Sequence, residues 1–358
     1  MNVVTRTLSA ALGVISSDIA IDLGTANTLV YVKGKGVVLN EPTIVAINHK
    51  TGQMVAIGNK AKEMYGRTPQ HIEIVRPLVD GVISDFEVTE EMLVYIINRA
   101  RAEVRSLAAP RVLIGVPSGI TNVEMRAAHD AAKNAGARDV FLIEEPVAAA
   151  IGAKLPVAKA MGSMIVDIGG GTSDIAVLSV NGIVIAKNLR LAGDHFTNAI
   201  VTYIRDQFKV HVGERTAEDA KIKLAAITES EETREIVIRG RDAVTGLPRE
   251  VMVTETDIRE AIAPHINTLV ETIRALLERT PPEVLADVMQ RGIHVSGGGA
   301  LIPGLSDLLE DVLQVPVLIV PDPLRAVIRG LGIVVEDIAL YEEILIDNEG
   351  ALSPQLED

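Results

Sequence analysis

One arrangement of residues occurs twice in this chain. Residues 18–32 read DIAIDLGTANTLVYV and residues 164–180 read MIVDIGGGTSDIAVLSV. Laid over one another without a gap, Asp22 falls on Asp167, Leu23 on Ile168 and Gly24 on Gly169, with apolar β-forming runs on both sides. A hairpin that only had to turn would be served by Asn-Gly. Here an acid closes the strand and nearly bare backbone follows. The repeat predicts a duplicated unit of strand, loop, strand, turn and strand, with the second turn at Asn181-Gly182. At 358 residues the chain is longer than one core usually spans, so two lobes are expected.

Three glycine-rich loops follow apolar strands: LGTAN at 23–27, IGGGT at 168–172 and SGGGA at 296–300. Such a loop can offer several backbone N–H groups to a phosphate because no Cβ blocks the approach. An aspartate cannot face a phosphate directly. It becomes useful when a divalent cation, usually Mg²⁺ and often through water, lies between them. Asp22 is therefore read as a metal-holding acid, with Thr25, Ala26 and Asn27 presenting N–H groups. One such loop reads as an ordinary turn. Three of them, two sharing an aspartate, do not. There is no G-x-x-x-x-G-K-[ST], since Gly34-Lys35 runs into Gly36. A dinucleotide fingerprint needs a helix straight after its glycines, whereas GGGTS leads into DIAVLSVNG.

Other function classes are disfavoured. Aromatics make up 3% with no Trp, against the stacking platforms of single-strand binders, and the net charge of −14 repels phosphodiester backbones. No nucleic-acid partner is expected. There is no cysteine, the seven histidines show no zinc spacing and G-x-S-x-G is absent. No apolar run reaches the ~18–20 residues of a membrane span. MNVVTRTLSAALGVIS runs directly into a strand, so cleavage as a signal peptide is not expected. Helical periodicity is expected at 89–106 and 121–135, short buried strands at 111–117 and 140–146, a strand pair around IVIRG and REVMVTE, and βα alternation from 280.

Over almost its whole length the sequence resembles the MreB family of bacterial actins, within the actin, Hsp70 and sugar-kinase superfamily. The resemblance is carried by IDLGTANTLVYVKGKGVVLNEP at 21–42, RPLVDGVISDF at 76–86, IGVPSGITNVE at 114–124, IEEPVAAAIGA at 143–153 and VDIGGGTSDIAV at 166–177. GERTAE at 213–218, TGLPR at 245–249 and TPPEVLADVMQRGIHVSGGGALIPGL at 280–305 complete it. It implies an α/β, actin-like, duplicated ribonuclease-H-like fold of two lobes and four subdomains, with ATP and Mg²⁺ held between the lobes, slow ATP hydrolysis and assembly into filaments. The subdomains would be 18–45 with 79–158 and 327–347 (IA), 46–78 (IB), 159–195 with 259–326 (IIA) and 196–258 (IIB), preceded by an amphipathic segment, 1–17, and followed by an acidic tail, 348–358. By matching position, Asp167 joins Asp22 at the metal. Gly169, Gly170, Gly171 and Thr172 form the second phosphate loop, with Thr172 also at the hydrolytic centre. Glu218 and Lys221 approach the adenosine, and Gly297, Gly298, Gly299 and Ala300 complete the pocket.

Two acids carry two readings each. Glu124 either orients the attacking water, as the resemblance implies, or closes a capping box with Thr121 at a helix start. Glu145 either reaches the metal's water shell or caps the helix PVAAAIGA. The sequence departs from the family pattern with Ser173 and Asp174 in GGGTSD where GGGTTE is commoner, and with AGDHFTNAI at 192–200 in place of a more acidic run.

On a helical wheel Val4, Leu8, Leu12 and Ile15 share one face, an amphipathic form that some relatives lay on the inner membrane surface; a core-docked or unstructured leader is the alternative. The loop at Leu107 is a second candidate contact. Expected partners are other copies of the chain, the inner membrane surface, and other shape-determining and wall-synthesis proteins; the expected location is cytoplasmic, on the inner face of the membrane. A small-molecule kinase of the same fold is the alternative function.

Overall fold

The protein is described by a computed structural model that covers residues 18–104, 108–229 and 233–346. The expectations for residues 1–16, Leu107 and the acidic tail lie outside the described residues. In the first half, β1 (Ile19–Leu23), β2 (Asn27–Val32) and β3 (Gly36–Pro42) form a meander. An insertion follows: β4 (Val45–Asn48), β5 (Gln53–Ile57), α1 (Asn59–Met64) and β6 (Ile72–Val75). Then come the small hairpin β7 (Leu78–Val79) and β8 (Val82–Ile83), α2 (Phe86–Val104), β9 (Arg111–Val116), α3 (Asn122–Asn134), β10 (Asp139–Glu144) and α4 (Glu145–Gly152).

The second half repeats the meander as β11 (Ser163–Ile168), β12 (Ser173–Ser179) and β13 (Gly182–Leu189). Its own insertion is α5 (Gly193–Phe208), β14 (Val210–His211), α6 (Glu214–Leu224), β15 (Glu235–Asp242) and β16 (Pro248–Thr254). The chain continues through α7 (Glu255–Arg279), α8 (Pro282–Arg291), β17 (Ile293–Ser296), α9 (Leu305–Leu313), β18 (Val317–Ile319) and α10 (Ala326–Glu336), and ends in a 3₁₀ segment at Ile338–Ile344.

The duplication extends to register. The two five-stranded sheets run β10-β9-β1-β2-β3 and β18-β17-β11-β12-β13. β1 pairs antiparallel with β2 and parallel with β9, placing Asp22 between Leu29 and Gly115. β11 pairs antiparallel with β12 and parallel with β17, placing Asp167 between Asp174 and Ser296. Each aspartate thus stands at the same rung of its sheet.

Both central strands are apolar on two faces, as a sheet covered on both sides requires. Ile19 and Ile21 of β1 belong to the core of the first half, and Met164 and Val166 of β11 to that of the second. The alternate residues Ala20 and Ile165 point the other way, into a third cluster that both sheets share. That cluster is filled by α4 and α10 and joins the two halves through apolar contact. Among the described residues no helix is long and apolar enough to cross a membrane.

One turn differs from expectation. The β12–β13 connection has Val180 and Asn181 as its central residues (φ 52° and 58°), and Gly182 already pairs with Ser179. Sequence preference would place glycine in the turn. The neighbouring chain overrides it: Val180 N–H donates to Lys159 O (3.0 Å) and Asn181 N–H to Val157 O (2.8 Å), with a bulge at Val177/Leu178.

α4 and α10 cross with almost no space between their backbones. A Cβ on Gly330 would overlap the Ala148 carbonyl oxygen, and one on Gly152 the Ala326 carbonyl oxygen. Neither backbone atom can yield without moving a helix. Gly330→Ala is expected to destabilise the protein by about 1–3 kcal/mol, read from urea midpoints. Gly213→Ala, where a Cβ meets nothing within 4 Å and only the N-cap of α6 is weakened, should cost no more than about 1 kcal/mol.

Candidate phosphate-binding cleft

The loops after β1 and β11 meet across a cleft of about 650 Å³ between the two halves. A Cβ on Gly170 would lie 2.7 Å from the Ala26 Cβ, and one on Gly171 2.7 Å from Thr25 Oγ1. Only glycine lets the loops approach this closely. Their carbonyls are tied to the protein. Thr43 Oγ1 donates to Gly24 O (2.6 Å) and Thr43 N–H to Ala26 O (3.0 Å). Gly193 N–H and Asp194 N–H, opening α5, donate to Gly169 O (3.2 Å) and Gly170 O (2.8 Å). With these acceptors engaged and Gly169 N–H spent on Thr172 O (2.9 Å), the remaining loop amides are left to face an anion.

A third element enters the gap. The β7–β8 hairpin turns on Asp80 and Gly81, both at positive φ. Gly81 N–H donates to Thr25 Oγ1 (3.0 Å), and a Cβ on Gly81 would lie 2.9 Å from the Thr172 Cγ2. This Asp-Gly tip sits between the two loops. It is absent from the sequence-based site, although Asp-Gly between apolar residues is a hairpin signal.

The floor of the cleft is acidic. Asp22, Asp167 and Glu145 all line it. Burial, reinforced by Asp167, pushes the Asp22 carboxyl from its ordinary 3.8 up to about 7. Burial pushes Asp167 up to about 6, against the pull of the Ser296 hydroxyl that donates to it at 2.5 Å. Glu145 is raised well above its usual range by burial first and then by Asp174, Asp22 and Asp167. Glu145 opens α4 without capping it, so of its two readings the geometry matches the cleft-facing one. Among the described residues no three acids or histidines stand close enough to cage a metal by themselves. Mg²⁺ does not need such a cage; it keeps several waters and takes one or two carboxylates together with phosphate oxygens. A floor of uncompensated acids beneath two amide-rich loops fits that demand.

At the far end of the cleft Lys221 donates to Gly193 O (2.7 Å) and to Thr197 Oγ1 (3.0 Å) and pairs with Glu218 (2.6 Å). Gly297, Gly298 and Gly299 line the opposite wall, whereas Ala300 is packed into the core of the second half. Ile222, Leu301 and Leu324, each more than half exposed, also line this end and provide an apolar slot suited to a flat base. Sequence reasoning missed them, since periodicity marks buried residues and not exposed ones at a mouth.

Glu124 stands apart from the lining residues. Its Oε2 accepts from Thr121 N–H (2.7 Å) and Thr121 Oγ1 (2.9 Å), completing the capping box, and its Oε1 faces Arg190 at 3.4 Å. The capping geometry is therefore present in this conformation. Thr172 is buried at the cleft beside Gly81.

Comparison with known proteins places these features in context. The family model described as MreB/Mbl protein matches residues 16–343. The cell shape-determining protein Mbl of Bacillus cereus is 49% identical over 322 residues, covering 90% of this chain and 96% of that protein. The crystal structure of MreB5 of Spiroplasma citri bound to ADP is similar with a TM-score of 0.86 and 39% identity, over 92% of this chain and 98% of that one; the form bound to AMPPNP gives 0.85. The MamK double helical filament, at 24% identity, shares the fold with a TM-score of 0.76 over 90% of this chain and 99% of its own. The actin-like fold expected from the sequence is thereby borne out.

The raised carboxyls fix a pH dependence for the ligand-free protein. Between pH 3.8 and about 7 the folded state holds protons that the unfolded chain has lost. Stability is then highest at the acidic end of that window and falls as pH rises through about 6 to 7. The urea midpoint should drop between about pH 5 and about pH 8, and Asp22→Asn should flatten much of that drop.

Proposed function

This chain belongs to the MreB/Mbl family, and from that premise we propose that it binds ATP with Mg²⁺, hydrolyses it slowly and assembles into actin-like filaments that act in cell-shape determination. The observation that carries the reading is the convergence of two register-matched aspartate-and-glycine loops over a buried acidic floor. Asp22, Asp167 and Glu145 hold the metal's water shell. Thr25, Ala26, Asn27 and Gly169 to Thr172 cradle the phosphates, and the end bounded by Glu218, Lys221 and Gly297 to Gly299 takes the nucleoside. The four-subdomain division belongs to this proposal, with 46–78, which holds most of the first insertion, as IB and 196–258, which holds most of the second, as IIB. The kinase alternative finds no support, because the family matched along nearly the whole chain is one of shape-determining proteins.

Glu124 is assigned the orientation of the attacking water. In the present conformation Arg190 and the Thr121 cap engage it, so hydrolysis needs this carboxylate to leave Arg190. Glu124→Gln keeps an acceptor for the capping box but no carboxylate charge. It should retain its melting temperature and nucleotide affinity while phosphate release falls by roughly a hundredfold or more. Unchanged turnover would leave Glu124 as a cap alone.

The polymer and its setting follow from the same proposal. Subunits with Mg-ATP should sediment and form filaments in electron micrographs; a protein that stays monomeric at high concentration contradicts the assembly reading. Residues 1–16 supply a weak apolar anchor that a filament multiplies through effective concentration, on the inner membrane surface beside other shape-determining and wall-synthesis proteins. Deleting residues 1–16 should reduce co-sedimentation with anionic liposomes. Equal binding would move the anchor to the Leu107 loop.

A further inference from the structure

RPLVDG at 76–81 and AGDHF at 192–196 were singled out in the sequence, yet Arg76 and Asp194 take no part in holding the nucleotide as read above. The structure joins them across the mouth of the cleft. Arg76 follows β6 of the first insertion. Its Nη1 donates to Asp194 Oδ2 at 3.0 Å and its Nη2 to Glu214 Oε2 at 3.0 Å. Tyr65, at the end of α1, donates its hydroxyl to the same Glu214 oxygen at 2.6 Å. Glu214 opens α6, and Asp194 lies in the first turn of α5, where its N–H grips the Gly170 carbonyl. All four side chains line the cleft.

The character of this contact differs from that of the rest of the inter-half joint. Of the apolar residues in and beside the first insertion, Ile44, Ala46, Ala61, Met64, Ile72 and Ile74 cluster among themselves, and Val45, Met54, Ile57 and Val75 pack on the core of the first half. Phe196 and Ile200 of α5 and Ala217 of α6 belong to the core of the second half. No apolar cluster spans the mouth among the described residues, so what holds it shut is polar. At the other side of the cleft the α4–α10 layer fastens the halves with buried hydrocarbon. An apolar hinge opposite a charged, half-exposed clasp is the arrangement of a cleft that opens at one end. Domain contacts of the polar, solvent-reached kind separate readily.

We propose that Arg76, backed by Tyr65, is the strap that retains nucleotide: release requires its bonds to Asp194 and Glu214 to break. Arg76 acts as a positioning residue, holding the first insertion against α5 and α6 without touching the phosphates. The proposal rests on the ATP-binding reading and adds a residue to it that sets the rate of escape.

The test is stopped-flow displacement of a fluorescent ATP analogue from the full-length protein with Mg²⁺, comparing wild type with Arg76→Gln, Glu214→Gln, Tyr65→Phe and the double variant Arg76→Gln/Glu214→Gln. Ion pairs of this exposure support a rise in release rate of roughly three- to tenfold for Arg76→Gln, with the association rate unchanged. The double variant should release at most slightly faster than Arg76→Gln alone, since only the Tyr65 bond to Glu214 remains for the second change to weaken. Wild-type release should accelerate with salt, and that of Arg76→Gln should not. Tyr65→Phe deletes one hydroxyl and keeps the ring, so it reports on the strap even where an Arg76 variant folds poorly; a smaller rise is expected. Variants that release at the wild-type rate with the wild-type salt slope, or that lose association rate instead, overturn the strap while leaving nucleotide binding intact. A folded wild type that takes up no nucleotide overturns the reading beneath it and the strap together.

Discussion

Carboxylates buried near one another must be neutralised, and in this protein the need is concentrated where the two halves meet. Asp22, Glu145 and Asp167 share the cleft floor, each raised by burial and by its neighbours, and Asp174 lies behind them, raised by burial against the hydrogen bonds of Asn188 and Ser118. A fold gains nothing in stability from such a cluster; taken out of water, each carboxylate costs free energy unless it is protonated or paired. Two solutions exist at the same place. Protons relieve the cluster at low pH, and a divalent cation would relieve it where the carboxylates are ionised. The amide-rich loops directly above supply what the second solution requires, a seat for the anion that accompanies the cation. The acids explain the loops, and the loops explain the glycines.

The repeat is how one chain brings two such loops face to face. Because Asp22 and Asp167 occupy the same rung of equivalent sheets, stacking the two sheets around a shared apolar layer sets both strand ends at one cleft. The layer must be thin for the loops to meet, and the Gly152–Gly330 crossing of α4 and α10 makes it so. The meeting of the two loops is thus set by helix packing at the base.

Much of this was legible beforehand for a physical reason. Strand alternation and an acid before glycines are local signals, and a duplication doubles them, so the two meanders and the acids of the floor could be read from residues alone. What escaped depends on contacts distant in sequence. The Val180–Asn181 turn is displaced by one residue because amides there answer to Val157 and Lys159. Ile222, Leu301 and Leu324 face the cleft although nothing in their spacing says so. Ala300 looked like a continuation of a glycine loop and is a core residue, since the 3₁₀ turn after Gly297 swings it inward. Glu124 remained double-valued because a capping box and a water-orienting carboxylate need the same residue at the same helix start.

The bonds between the halves weaken outward. At the base lies a wide apolar cluster, in which each large buried side chain contributes ~1.5–3 kcal/mol. Midway, the buried Asp174 of β12 accepts from Ser118 N–H (2.9 Å) and Ser118 Oγ (2.8 Å) of the first half while Asn188 holds it from its own sheet; hydrogen bonds to a charged group are worth about 1.5–3 kcal/mol each. At the mouth stand half-exposed ion pairs worth ~0.2–1 kcal/mol apiece. With that gradient, the strap proposed at Arg76 is the first polar tie to yield and the Asp174 bonds are the last. The outer edge of the cleft can then part while the register of the two glycine loops, fixed further in, is kept.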